Sequence, residues 1–275
     1  MTLERTPWVR PYWHVDAKWI IGLLLLPILS AALLVSALVQ VTDEKPAVDT
    51  LTITLAVLLS ENGLDDSTAL TAIREKMQAS PNQTVQIIPG SRWTVSEAEI
   101  AGLTPRQARL AMFRKVAVPL YRDGIQGLIG LTDDPEMQAA MQSGGAAFNI
   151  LTLKTHQLLQ EWQTTLTIVC LILLIPLILF SARFGRIGSP GCVLVVASLP
   201  GAVILGILAT INTGSNAPLG HSAGAGETLN YLAGFIVPPL AQLVAIEYWI
   251  ALAIGAGLVI LALFTNLLWR LFRKH

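Results

Sequence analysis

Four stretches of the chain are almost wholly apolar: residues 20–39, 163–182, 192–211 and 250–269. Each reaches the about 20 residues that a helix needs to cross the hydrocarbon of a bilayer. None contains Asp, Glu, Lys, Arg or His. The pattern predicts four transmembrane helices. The first is too long for the h-region of a cleaved signal peptide, which runs to about 7–15 residues. It also follows 19 residues that carry Arg5, Arg10 and Lys18, so it reads as an uncleaved signal anchor.

Polar patterning returns between the first and second spans. After Pro46, the residues Val48, Leu51, Leu55, Leu58 and Leu59 repeat with helical period up to Asn62-Gly63, a stop signal. Leu51, Ile53, Leu55 and Val57 also alternate, so a strand is the competing reading. Ser67 opens a helix with Leu70, Ile73 and Met77 on one face, stopped before Pro81. Val85-Gln86-Ile87-Ile88 is the best strand candidate, closed by Pro89-Gly90, with its partner unassigned. Thr94 and Glu97 space as a capping box. Thr104-Pro105 starts a strong helix with Leu110, Phe113 and Ala117 on one face. Thr132-Asp133-Asp134-Pro135 starts another, ended by Gly144-Gly145. From Ala146 no breaker intervenes before the second span, which predicts one helix over 146–182 joining the polar domain rigidly to the membrane.

Residues 212–228 are rich in Gly, Ala and Ser and read as a loop. Residues 230–246 are apolar but interrupted by Pro238-Pro239. They are expected to lie at the membrane interface. A re-entrant dip is the alternative, and the one feature that points to a pore.

Charge sets the orientation. Arg5, Arg10 and Lys18 precede the first span, Arg183 and Arg186 link the second and third, and Arg270, Arg273 and Lys274 follow the fourth. Positive residues stay cytoplasmic. This places segment 1–19, link 183–191 and tail 270–275 inside, and residues 42–162 and 212–249 outside. The spans are 20–41, 163–182, 192–211 and 250–269. Six of the seven tryptophans (Trp8, Trp13, Trp19, Trp162, Trp249 and Trp269) flank spans, as interfacial anchoring requires. The fold class is therefore an all-α integral membrane protein. A mostly helical extracytoplasmic domain is inserted between its first and second transmembrane helices. The absence of cysteine from that domain and the compact plan point to a bacterial plasma membrane.

Only 13% of the 275 residues are charged, and 18 basic side chains balance 18 acidic ones, which leaves no case for nucleic acid. Cys170 and Cys192 lie in apolar runs, and the four histidines are scattered, so no metal or cofactor is expected. Asp133, Asp134 and Glu136 lack calcium-loop spacing and read as helix N-terminal acids. No nucleophile elbow, zinc motif or phosphate loop occurs. His221-Ser222 lacks an orienting acid at informative spacing, and His156 reads as a surface residue of the long helix.

Small residues four apart, Ala202/Gly206, Ala251/Gly255 and Ala253/Gly257, predict close helix packing within or between chains. Pro27, Pro176 and Pro200 sit mid-span. Arg106, Arg109, Arg114 and Lys115 form the most basic patch, a candidate contact for lipid headgroups or an acidic partner. Pro238, Pro239 and Glu247 mark the candidate pore or interfacial segment.

The order one span, polar domain, three spans is similar to that of permease subunits in some mechanotransmitting ABC systems. The similarity is topological, and the link 183–191 is too short for an ATPase-coupling helix. The sequence thus predicts a non-enzymatic scaffold, accessory or regulatory subunit of a larger membrane complex or homo-oligomer. Its expected partners are the lipid bilayer and other membrane proteins or itself. The alternatives are a channel or transporter using the Pro238-Pro239 segment, or a ligand-sensing membrane subunit.

Overall fold

The computed structural model describes residues 13–59, 64–65, 67–86, 91–181, 184–210 and 225–272. Several sequence readings fall outside these residues: the Asn62-Gly63 stop, the Pro89-Gly90 turn, Arg5, Arg10, Arg183, Arg273, Lys274, and residues 212–224 of the expected loop 212–228 with His221 and Ser222, whereas residues 225–228 of that loop are helical. In chain order the elements are α1 (Trp13–Thr42), α2 (Glu44–Leu58), α3 (Ser67–Ala79), β1 (Thr84–Gln86), β2 (Thr94–Ser96), α4 (Glu97–Ile100), α5 (Pro105–Asp123), α6 (Ile125–Ile129) and α7 (Pro135–Gly144). A 3-10 segment, Gly145–Leu151, precedes α8 (Leu153–Phe180), α9 (Gly185–Thr210) and α10 (Ala225–Phe272). The protein is mostly helical. The helices α1, α8, α9 and α10 are long and apolar enough to cross a membrane.

Contacts divide the chain into two units. The first comprises Met1–Ser36, Trp162–Ile204 and Ala245–His275. Its large side chains turn outward: Leu23, Ile172, Leu179, Ile260 and Phe264 are exposed. Small side chains turn inward, with Ala197, Ser198, Ala202, Ala251 and Ala262 buried. This inversion of a soluble core suits lipid, where burying apolar surface between helices gains nothing and close van der Waals contact must hold them. α9 and α10 approach through glycine. A methyl added at Gly191 would lie 2.9 Å from the Gly255 carbonyl oxygen and 2.9 Å from Leu258 Cβ. One added at Gly255 would meet Val195, and one at Gly188 would come within 3.2 Å of Ala262. Gly201 lies flat beneath the Tyr248 ring, where no side chain fits. Polar ties cross between other helices: Gln163 Nε2 donates to Ser36 Oγ at 2.9 Å, linking α8 to α1.

The second unit comprises Ala37–Glu161 and Leu205–Val244. It has a conventional core. α2 packs on α5, with Val48, Leu51 and Leu55 against a group that includes Phe113, Ala117 and Leu120. α2 is thus helix and not strand. Leu58 and Leu59, expected on its buried face, are exposed, because the helix ends there. Leu70 and Met77 of α3 are buried as the helical spacing requires. β1 pairs antiparallel with β2, Val85 opposite Val95. Val95 is therefore strand, and the capping box falls at Ser96 and Glu99 instead of Thr94 and Glu97. Thr104 caps α5, its hydroxyl accepting from Gln107 N at 3.3 Å. The Asp134 carboxylate accepts from Glu136 N at 2.9 Å at the start of α7.

Two expectations fail for identifiable reasons. The helix expected over 146–182 begins only at Leu153. Thr152 stops it: its hydroxyl donates to Asn149 O at 3.0 Å and accepts from Thr155 N, a local cap that competes with helix continuation. Conversely, 230–246 is not a segment separate from the fourth span. It is the first half of α10, which runs 48 residues through Pro238 and Pro239, about 72 Å of helix. Tyr231 is buried in the core of the second unit, with Leu232 and Phe235 packed beside it. That packing supplies what the prolines remove.

Replacing Gly191 or Gly201 with Leu should lower stability by about 1–3 kcal/mol, the usual cost of overpacking. Gly257→Leu should cost little, since nothing lies within 4 Å of a Cβ there. Thermal unfolding of the detergent-solubilised variants reads the order.

Candidate functional site

A groove of about 590 Å³ lies within the second unit. Its walls differ in kind. Phe235, Ile236, Pro239, Leu240 and Leu243 of α10 make an apolar wall. Gln40 of α1, Asp43, Lys45 and Asp49 at the start of α2, and His156 and Gln160 of α8 make a polar one.

Hydrogen bonds fix the polar wall. The Thr42 hydroxyl donates to Leu38 O at 2.8 Å, so it meets His156 Nδ1, 3.1 Å away, as an acceptor. Nδ1 therefore carries the proton. Nε2 then accepts from Gln160 Nε2 at 2.9 Å. His156 thus has a hydrogen-bond partner at each ring nitrogen while only 8% exposed. Tyr121 Oη donates to Thr42 O at 3.1 Å. Burial, with Asp43 and Glu44 nearby, pushes the Tyr121 phenol above its ordinary value, so it remains a donor.

Aromatic contacts fix the apolar wall. The Phe235 ring stands edge-to-face with Tyr231 at 4.9 Å and lies under the Arg106 guanidinium at 4.5 Å. Pro238 and Pro239 have no N–H to offer Gly234 and Phe235, so two carbonyls beside this wall lose their helical donors.

The sequence-derived candidates scatter. Pro239 lines the groove, whereas Glu247 does not. The basic patch is dispersed among internal partners. Arg106 covers Phe235, Arg114 pairs with Asp49 at 3.4 Å, Lys115 pairs with Glu99 at 2.6 Å, and Arg109 is buried. Gly255 sits at the α9 contact, Ala251 and Ala202 are buried, and Gly206 is half-buried. Ala253 and Gly257 are exposed. His156, expected at the surface, is buried, because its partner Thr42 lies 114 residues earlier and no local pattern reveals it. Phe235 was legible only as part of an apolar run. Comparison with protein-family models, curated proteins and solved structures finds no match.

His156→Ala should remove two hydrogen bonds, enlarge the groove and cost about 1–3 kcal/mol. Thermal unfolding measures it, with exposed Gln157→Ala as the neutral reference.

The Lys115 ammonium, with Ser96 N–H, holds the Glu99 carboxyl below its ordinary value of 4.5. A depressed acid stabilises fully above its unfolded value, and that contribution fades as pH falls through the folded value. The pair is half exposed, so Lys115→Met should cost at most about 1 kcal/mol near neutral pH and less in acid. Unfolding of both proteins across acidic to neutral pH checks the narrowing gap.

Proposed function

We propose that this chain is a non-enzymatic regulatory or accessory subunit of a membrane complex, and that its groove at His156 holds an amphiphile with a zwitterionic head. It crosses a bacterial plasma membrane four times with both termini cytoplasmic, and 42–162 is an extracytoplasmic domain. The positively charged ends of the four apolar helices support this orientation.

The carrying observation is the split groove. An apolar wall opposite a polar one suits a molecule with the same division. The Asp43 carboxylate offers an acceptor to an ammonium, and Lys45 offers a partner to a phosphate. Three of the groove's helices, α1, α8 and α10, each also contribute a span. In this reading an occupant of the groove touches three helices that also supply spans, and a membrane partner senses it through them.

Native mass spectrometry of the full chain, extracted in mild detergent, tests this. The expected result is a phosphatidylethanolamine-sized adduct together with defined co-migrating membrane proteins. Phe235→Glu should abolish the adduct. Identical adducts on both forms, or a bare monomer without protein partners, overturns the proposal.

A further inference from the structure

A second cavity, about 370 Å³, lies in the first unit and shares no lining residue with the groove. It gathers the start of the α1 span, the end of α8, the first turns of α9 and the last turns of α10. Its polar lining is Lys18, Ser189 and Asn266. Among the described residues no carboxylate pairs with Lys18, whose Nζ has only the Trp19 ring, 6.0 Å from its centroid. Its lining is otherwise mainly apolar, from Leu177, Val193, Val259 and Leu263 among others. An anion entering the cavity therefore meets a cation with no carboxylate partner among the described residues.

The surroundings favour that anion. Ser189 Oγ, near Lys18 across Gly185, is engaged with Ser181 Oγ at 3.3 Å, and the Asn266 amide in the same lining supplies a hydrogen-bond donor. Arg186 stands in the same first turn of α9, its Nε donating to Ser181 O at 3.2 Å. The positive end of the α9 dipole adds to the same potential. A free anion would use only this polar corner. The remaining walls ask for an apolar chain, and Gly22 keeps the wall low between α1 and α8, with only Leu177 Cδ1, at 3.9 Å, near the place of a Cβ.

We propose that this cavity binds one anionic phospholipid, its phosphate at Lys18 and an acyl chain along Val193, Val259 and Leu263. The site is independent of the groove reading, because it shares no residue with it. Lys18 is thereby a lipid-binding residue as well as a topology signal.

The delipidated full chain in detergent would be titrated with phosphatidylglycerol, with phosphatidylcholine of the same acyl chains, and with inorganic phosphate. Native mass spectrometry counts bound lipid, and tryptophan fluorescence follows thermal unfolding. Phosphatidylglycerol should bind about fivefold more tightly than phosphatidylcholine, the increment of one cation near a membrane surface. Lys18→Gln should erase that preference and Lys18→Arg should keep it. Gly22→Leu should weaken both lipids alike. Phe235→Glu should leave the preference intact, so failure of the groove reading stays distinguishable. Equal binding of the two lipids, or a preference that survives Lys18→Gln, overturns the proposal. Stabilisation by inorganic phosphate equal to that by phosphatidylglycerol assigns a free-anion site and overturns it as well.

Discussion

The contact between Gly191 and Gly255 involves no side chain, and the first unit depends on it. Helices in lipid are not pushed together by water, so they adhere only as closely as their surfaces allow. Glycine lets the backbone of α9 reach α10, and the same principle recurs at Gly188 against Ala262 and at Gly201 beneath Tyr248. Bulky side chains are left to face outward, where a bilayer solvates them. The charge-free interior of the spans follows from the same economy of space.

The second unit obeys opposite rules. Its core is made of Leu, Val, Met and aromatic side chains, and its charges are paired at the surface, as Arg92 with Asp133 at 2.9 Å and Arg122 with Glu44 at 3.3 Å. α10 serves both regimes in one helix. Its N-terminal half buries Tyr231 in a water-type core, and its C-terminal half presents Gly255 to α9. The prolines at 238 and 239 stand between these two tasks.

What was legible in the sequence is what local pattern encodes. Length and apolarity located all four spans, and Thr104-Pro105 located α5. The strand at Val85 was legible, whereas its partner β2, the Thr152 cap and the continuity of α10 were not. In each case a tertiary partner or a side-chain hydrogen bond outweighs local signals. Proline pairs normally end helices, yet packing of Tyr231, Leu232 and Phe235 carries α10 across one. The basic run of α5 looked like a surface patch because the positions of Asp49, Glu99 and Phe235 in space are not written near it. The groove was equally hidden, since its polar and apolar walls come from four helices far apart in the chain.

Thr42 ends the first span, and its carbonyl and hydroxyl are both engaged, by Tyr121 and by His156. Those partners lie 79 and 114 residues later. A ribosome therefore releases α1 into the membrane well before either exists. The last turn of that helix begins its life bonded to water or headgroups and exchanges them for protein only after the second unit has been made. Synthesis order thus separates the making of α1 from its completion: the helix comes first, and the bonds at its last turn close only later.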